Sequence, residues 1–231
     1  LGRDAARGRR AAPAADLGAA EREWRALERL GGRMIFLGDP AYPALLAHLP
    51  DAPPVLSVLG DLGVLDQRQV AIVGARAASA AGRRIAEDIA EDLADAGWVV
   101  TSGLARGIDA AAHAGALRVG RTIAVVPGGL DMPYPRENTA LQARIAERGA
   151  VVAEAPLGAA PVDRHFPRRN RLVAGLCLGV LVIEAAARSG TLITAREAAD
   201  LGREVFAVPG HPADPRSAGG NALIKDGAPL V

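Results

Sequence analysis

Six short runs rich in valine and isoleucine recur through the last two thirds of the chain, separated by alanine-rich stretches of helical length. They fall at 70–73, 98–101, 122–126, 151–153, 180–183 and 205–208. The runs are apolar nearly throughout rather than alternating with polar residues. A strand of that kind must be covered on both faces, which a parallel sheet between two helical layers provides. The intervening segments, near 80–96, 109–119, 137–148, 168–176 and 192–201, are each bounded by glycine or by a capping residue. The pattern predicts an α/β fold with a doubly wound, mostly parallel sheet and helices on both faces. Ligands of such sheets lie beyond the carboxyl ends of the strands, so function is sought in the loops that follow them.

Upstream the pattern is weaker. Residues 1–20 are rich in Ala, Gly and Arg without periodicity and read as a leader. From Glu21 the spacing of Trp24, Leu27 and Leu30 predicts one amphipathic helix ended by Gly31-Gly32, followed by a short strand at 34–37. A proline-punctuated segment running to Gly60 is expected to wrap one edge of the main domain. The expected division is therefore a leader with a helical and extended remnant over 1–60, and the α/β core over 61–231.

With 3% aromatic residues, the core has to be built from Ala, Val, Leu and Ile. The net charge of +1 does not announce a polyanion binder, because clustering of charge matters more than its sum. The single cysteine, Cys177, excludes an internal disulfide and a cysteine-based metal cluster, and the spacing of the histidines offers no metal site. The longest uncharged apolar stretch, 172–183, is too short to span a bilayer, and a cytoplasmic location is expected.

Four strand-to-helix loops share one character: Gly74-Ala-Arg76-Ala-Ala-Ser79, Ser102-Gly103-Leu-Ala-Arg106-Gly107-Ile-Asp109, Pro127-Gly128-Gly129-Leu-Asp131 and Ser189-Gly190-Thr191. Glycine lets backbone approach a ligand, and the free amides of a helix start attract anions, so a rim of such loops suits several phosphates, as in a polynucleotide. Ordinary turn chemistry explains any one loop, but four matched loops poorly. The first loop lacks the glycines of a dinucleotide fingerprint, and no Gly-Lys-Ser/Thr occurs, so NAD, FAD and Walker-type ATP sites are not expected and no cofactor is called for.

Arg76, just after the first core strand, is placed to make a bidentate phosphate contact. The segment Arg164-His-Phe166-Pro-Arg168-Arg169-Asn170-Arg171 is the strongest basic patch, and Phe166 within it offers a base something to stack on. Two structural alternatives stand beside this: Phe166 as a core residue, and some of the arginines as partners of backbone carbonyls or of Glu184. Asp109 and His113, at i and i+4, read as a helix cap and a buried hydrogen-bonding histidine rather than a catalytic pair.

Taken together, these residues resemble the DNA-processing protein A (DprA, also called Smf) family. The matching motifs are Val73–Ser79, Ser102–Asp109 with His113, Gly128-Gly-Leu-Asp131 with Tyr134-Pro135 and Asn138, and Phe166–Arg171 with Ala174-Gly175. Glu184-Ala185 with Ser189-Gly-Thr191 and Thr194-Ala195 follow, and then Gly202-Arg203, Val208-Pro-Gly210, Gly219, Asn221 and Gly227-Ala228. The resemblance implies a Rossmann-like core and a non-enzymatic, homodimeric single-stranded DNA binder that protects incoming DNA and helps load the RecA recombinase in natural transformation. It places DNA on Arg76, the 102–106 loop and the arginines around Phe166, and it implies a winged-helix domain that these residues do not contain. The competing enzyme reading is a phosphoribohydrolase of the cytokinin-activating type, whose Pro-Gly-Gly-x-Gly-Thr loop would here be split between Pro127-Gly-Gly129 and Ser189-Gly-Thr191. A nucleotide sensor without catalysis is the third reading. The 205–208 strand, with its neighbouring helix, is the expected dimer edge.

Overall fold

The computed structural model describes residues 16–231, so the first fifteen residues of the expected leader lie outside it. Helix α1 (Leu17–Arg29) starts four residues before the expected Glu21, because the Asp16 carboxylate accepts the Ala19 N–H at 3.0 Å and caps it. Strands β1 (Gly32–Phe36) and β2 (Val55–Gly60) follow, with the single helical turn α2 (Ala44–Ala47) between them.

The core then alternates as the apolar runs predict: β3 (Gln69–Gly74), α3 (Ala80–Asp95), β4 (Val99–Ser102), α4 (Ile108–Val119), β5 (Thr122–Val126), α5 (Thr139–Arg148), β6 (Ala150–Ala153), α6 (His165–Leu176), β7 (Gly179–Ile183), α7 (Thr191–Asp200) and β8 (Glu204–Ala207). A last helix, α8 (Ala218–Lys225), stands in a segment for which the sequence predicts no helix.

One eight-stranded sheet has the order β1-β2-β6-β5-β4-β3-β7-β8. The six core strands are parallel, and β2 joins β6 antiparallel, with Ser57 opposite Ala153. The segment expected only to wrap an edge thus lengthens the sheet, and residue 60 ends a strand of that sheet rather than marking a break between two units.

Alternate side chains divide the core. On one face Val73, Val125 and Val182 pack with Leu172, Leu176 and Ala195 of α6 and α7. On the other, Ile72 and Val100 meet the alanines of α3 and α4, while Val126 and Val151 meet Leu117, Ile145 and Leu27. Each fully buried aliphatic side chain contributes about 1.5–3 kcal/mol relative to exposure. Small alanines let α3 and α4 approach the sheet closely, which compensates for the scarcity of rings.

From β3 the chain steps outward through β4, β5 and β6, then returns to place β7 on the other side of β3. The loop after β3 leads to α3 on one face and the loop after β7 leads to α7 on the opposite face. Where these loops part, a crevice opens beyond the carboxyl ends of the strands.

Candidate functional site

The crevice is a cleft of about 340 Å³, and Gly74, Arg76, Gly103, Phe166, Arg169, Asn170, Ser189, Gly190 and Thr191 all line it. Nine of the residues expected to bind phosphate therefore meet in one place, drawn from four separate segments.

Arg76 is exposed, and its guanidinium carbon lies 5.0 Å from the centre of the Phe166 ring. Tyr134, from the loop after β5, meets the same ring edge-on, with centroids 5.6 Å apart. Phe166 is half-buried and belongs to the cleft wall, not to the core. The backbone that carries Arg76 is held firmly. Ser79 donates its N–H to Glu184 at 2.8 Å and its hydroxyl to the same carboxylate at 2.5 Å, while its Oγ accepts the Gly82 N–H to cap α3. Glu184 itself adopts a left-handed conformation, φ 51°, at the end of β7. Ser79 is thus an anchor of the loop and is committed to a carboxylate. Glu184, considered from sequence only as a partner for arginines, instead fixes the geometry of the Arg76 loop.

Across the cleft, Thr191 donates its hydroxyl to the Gly74 carbonyl at 3.0 Å, tying the start of α7 to the end of β3. Gly190 precedes α7 in open space, without a side-chain cap. The first amides of this helix are occupied, Thr191 N–H by the Ser189 Oγ at 3.2 Å, Leu192 N–H by the Ser189 carbonyl and Ile193 N–H by the Gly190 carbonyl, each at 3.1 Å, so the helix dipole alone favours an anion there.

Arg169 and Arg171 depart from expectation. Consecutive residues of a helix point about 100° apart, so Arg168 and Arg169 cannot share a face, whereas Arg171, three residues beyond Arg168, lies near it. Arg169 turns inward: it is 6% exposed and donates to the Val125 carbonyl at 3.1 Å. Burial pushes its pKa down to about 10, with Asp109 acting in the opposite sense. It lies so close over Gly103 that a Cβ there would stand 1.5 Å from the Arg169 Nη1, which is why that position is glycine. Arg171 pairs with Glu154 at 2.6 Å and with Asp51 at 3.2 Å, and so belongs to the scaffold rather than to the basic rim.

Arg106 is exposed but paired with Glu137 at 2.6 Å. Arg164 and Arg168 are exposed, and like Arg76 they make no ion pair among the described residues.

Three further expected contacts are sealed. Ser102 is fully buried and donates its hydroxyl to the Ile72 carbonyl at 2.6 Å. Gly128 and Gly129 are buried beneath the 156–161 segment, where the Gly129 N–H is taken by the Ala159 carbonyl at 2.9 Å. Gly107, at φ 74°, packs against the carbonyls of Ala75 and Arg76 and supports the first loop from below. The four matched loops therefore do not form one continuous rim, since the loop after β5 is closed over.

Asp109 and His113 are both buried. The His113 Nδ1 is 2.7 Å from the Thr122 hydroxyl, and burial pushes the imidazole pKa down to about 3, so it is neutral. Burial raises the pKa of Asp109, whose carboxylate accepts the Ala105 N–H at 3.2 Å and so shapes the loop before α4. Among the described residues no cluster of three His, Cys, Asp or Glu side chains could hold a metal ion, and no helix is long and apolar enough to cross a membrane.

Tyr134 was legible only as part of the family motif, and its place against the Phe166 ring depends on the loop after β5 folding back towards α6.

Comparison with known proteins agrees with this architecture. The family model described as DNA recombination-mediator protein A matches residues 33–231. Protein Smf of Escherichia coli is 48% identical over 89% of this chain and 55% of its own length, and DNA processing protein DprA of Streptococcus pneumoniae is 46% identical over 84% and 68%. The chain thus spans between about half and two thirds of these relatives. The X-ray structure of the Streptococcus pneumoniae DprA superposes with a TM-score of 0.88 at 42% identity, covering 94% of this chain and 75% of that one. DNA processing protein A from Helicobacter pylori, whose structure is described in terms of its single-stranded DNA binding mode, gives a TM-score of 0.78 at 32% identity, covering 85% of this chain and 90% of that one. A molybdenum cofactor binding protein from Rippkaea orientalis, at 17% identity and a TM-score of 0.51, shares the fold alone. By the match to 33–231 and by these identities, the chain belongs to the DprA/Smf family of DNA recombination-mediator proteins.

Proposed function

We propose that this chain binds single-stranded DNA along the cleft between the loops after β3 and β7. The observation that carries the reading is Arg76, exposed and unpaired among the described residues, lying over the Phe166 ring with Tyr134 against its edge. A cation beside accessible rings is what a strand needs, because the guanidinium meets a phosphate while a base stacks on the ring, worth about 1–3 kcal/mol per base. Duplex DNA keeps its bases stacked on one another and cannot offer them. The exposed Arg164 and Arg168, unpaired among the described residues, extend the positive ground on one side, and the amino end of the α7 dipole does so more weakly on the other.

The wider role follows from family membership. We propose that the bound strand is protected and handed to the RecA recombinase in natural transformation and homologous recombination, in the cytoplasm, without chemistry on the DNA. We also propose a homodimer through the β8 edge. β8 is the last strand of the sheet, and only Ala207 of it is bridged further, to Leu230. The phosphoribohydrolase reading is disfavoured, since β4 and β3 separate the loop after β5 from the loop after β7 and the former is buried.

Fluorescence anisotropy with labelled single- and double-stranded oligonucleotides tests the reading. The native chain is expected to prefer the single strand, and Arg76→Glu to lose about tenfold or more in affinity. Equal affinity for both forms, or an unaffected Arg76→Glu variant, contradicts it.

A further inference from the structure

We infer that Glu137 is a built-in competitor for the strand: its carboxylate occupies Arg106 in place of a phosphate, and a strand held at Arg76 displaces it to gain Arg106 as a second phosphate contact. The inference rests on the single-strand reading above and concerns how that site is regulated.

Arg106 lies at the site. It borders one narrow recess together with Arg76, Tyr134 and Phe166, the three side chains on which the strand reading stands. Its loop touches the Arg76 loop through the backbone, since Gly107 packs against the Ala75 and Arg76 carbonyls and the Ile108 N–H is taken by the Ala75 carbonyl at 3.2 Å. Among the described residues the exposed Arg76, Arg164 and Arg168 make no ion pair. Arg106 does: its Nε donates to Glu137 Oε1 at 2.6 Å, although the two side chains are 61% and 53% exposed.

That pair is not what holds the loop. Asn138 donates its side-chain amide to the Leu104 carbonyl at 2.9 Å and to the Ala105 carbonyl at 3.3 Å, while the buried Asp109 carboxylate accepts the Ala105 N–H at 3.2 Å. On the other side, Tyr134 meets the Phe166 ring and Pro135 is buried, which fixes the segment that presents Glu137. The carboxylate is therefore aimed at Arg106 by anchors independent of the ion pair. An exposed pair shifts an equilibrium by at most about fivefold, so this one adds little to the fold yet is strong enough to mask a cation.

Carboxylate and phosphate offer a guanidinium the same kind of anionic oxygen, so one can replace the other on Arg106. A strand already bound at Arg76 presents its neighbouring phosphate at high effective concentration and takes Arg106 over. Glu137, tethered beside the same cation, recaptures it whenever that phosphate lets go. The outcome is a strand held less tightly than the cations alone would hold it, which suits a protein that passes its strand on.

Anisotropy and stopped-flow dissociation of a labelled oligothymidylate test this for the native chain, Glu137→Gln, Arg106→Gln and the double variant, each checked for a native-like melting temperature. Glu137→Gln is expected to bind about threefold to fivefold tighter, mostly through slower dissociation. Arg106→Gln is expected to bind more weakly than the native chain, and the double variant to gain less than about twofold over Arg106→Gln, because screening leaves the carboxylate little reach beyond its partner. Affinity in Glu137→Gln equal to or below the native value overturns the inference. So does an equal gain in both backgrounds, which would make Glu137 a general negative charge that does not act through Arg106. Arg76→Glu is measured alongside: if it binds like the native chain, the cleft reading itself fails, whereas if it loses affinity and Glu137→Gln gains none, only the competitor role fails.

Discussion

Arg76 and Arg171 are the same residue type put to opposite uses, and truncation separates them. Arg76→Ala removes an exposed cation over a ring, so we expect an unchanged melting temperature and about tenfold weaker strand binding. Arg171→Ala leaves Glu154 and Asp51 without their shared partner, whose side chain is 12% exposed. It is expected to cost about 1–3 kcal/mol, a drop of several degrees in thermal melting, with little change in affinity for the strand. His113 adds a pH signature. Its folded pKa of about 3 lies below the ordinary 6.5, so the unfolded chain takes up a proton first as the solution is acidified. Stability from this group is complete above pH 6.5 and is lost progressively as pH falls towards 3. Replacing His113 by Gln, which does not titrate, is expected to flatten that part of the stability profile in urea melts at stepped pH. An unchanged slope contradicts the assignment.

Among the elements, the two loops of the cleft are set by contacts that substitution can unpick. Gly103→Ala would drive a methyl group into the buried Arg169 guanidinium, which is held by the Val125 carbonyl, and is expected to destabilise by about 1–3 kcal/mol while disturbing the cleft. Glu184→Ala unties Ser79 and frees the Arg76 loop, so strand affinity falls although Glu184 makes no contact with DNA in this scheme. Titration calorimetry that shows no loss for Glu184→Ala would remove the anchoring role. The core strands were legible because buried parallel strands read as continuous apolar runs. Strand β2 was not, since Pro53-Pro54 just before it signals a turn and its partner β6 lies some ninety residues further on. Helix α8 was hidden by Gly219-Gly220, which reads as loop; a Cβ at Gly219 would stand 2.8 Å from the Ala185 carbonyl, so the glycine serves close packing. The site was partly legible. Loop glycines and arginines named most of the cleft, but no local signal tells that the 156–161 segment covers Gly128 and Gly129. Helical phase does separate Arg169 from the exposed Arg168 once α6 is seen to begin at His165, but Arg171, at i+3 from Arg168, is set apart only by its pairing with Glu154 and Asp51.

For the molecule as a whole, the proposed function depends on the strand order reversing beside β3, because that opens a cleft between loops belonging to opposite helical layers. Strand binding there is expected to weaken steeply with salt, the logarithmic slope being about −0.7 per phosphate neutralised. The proposed β8 edge predicts a dimer by sedimentation velocity, and a charged substitution such as Val205→Lys on that strand is expected to shift it towards monomer. The most direct test of the account is where a strand touches the protein. Photocrosslinking of an iodouracil-substituted oligonucleotide followed by peptide mass spectrometry is expected to mark Phe166 or Tyr134, with the yield falling in Arg76→Glu. Crosslinks confined to the helical faces of α3 and α5, with Phe166 and Tyr134 untouched, would contradict it.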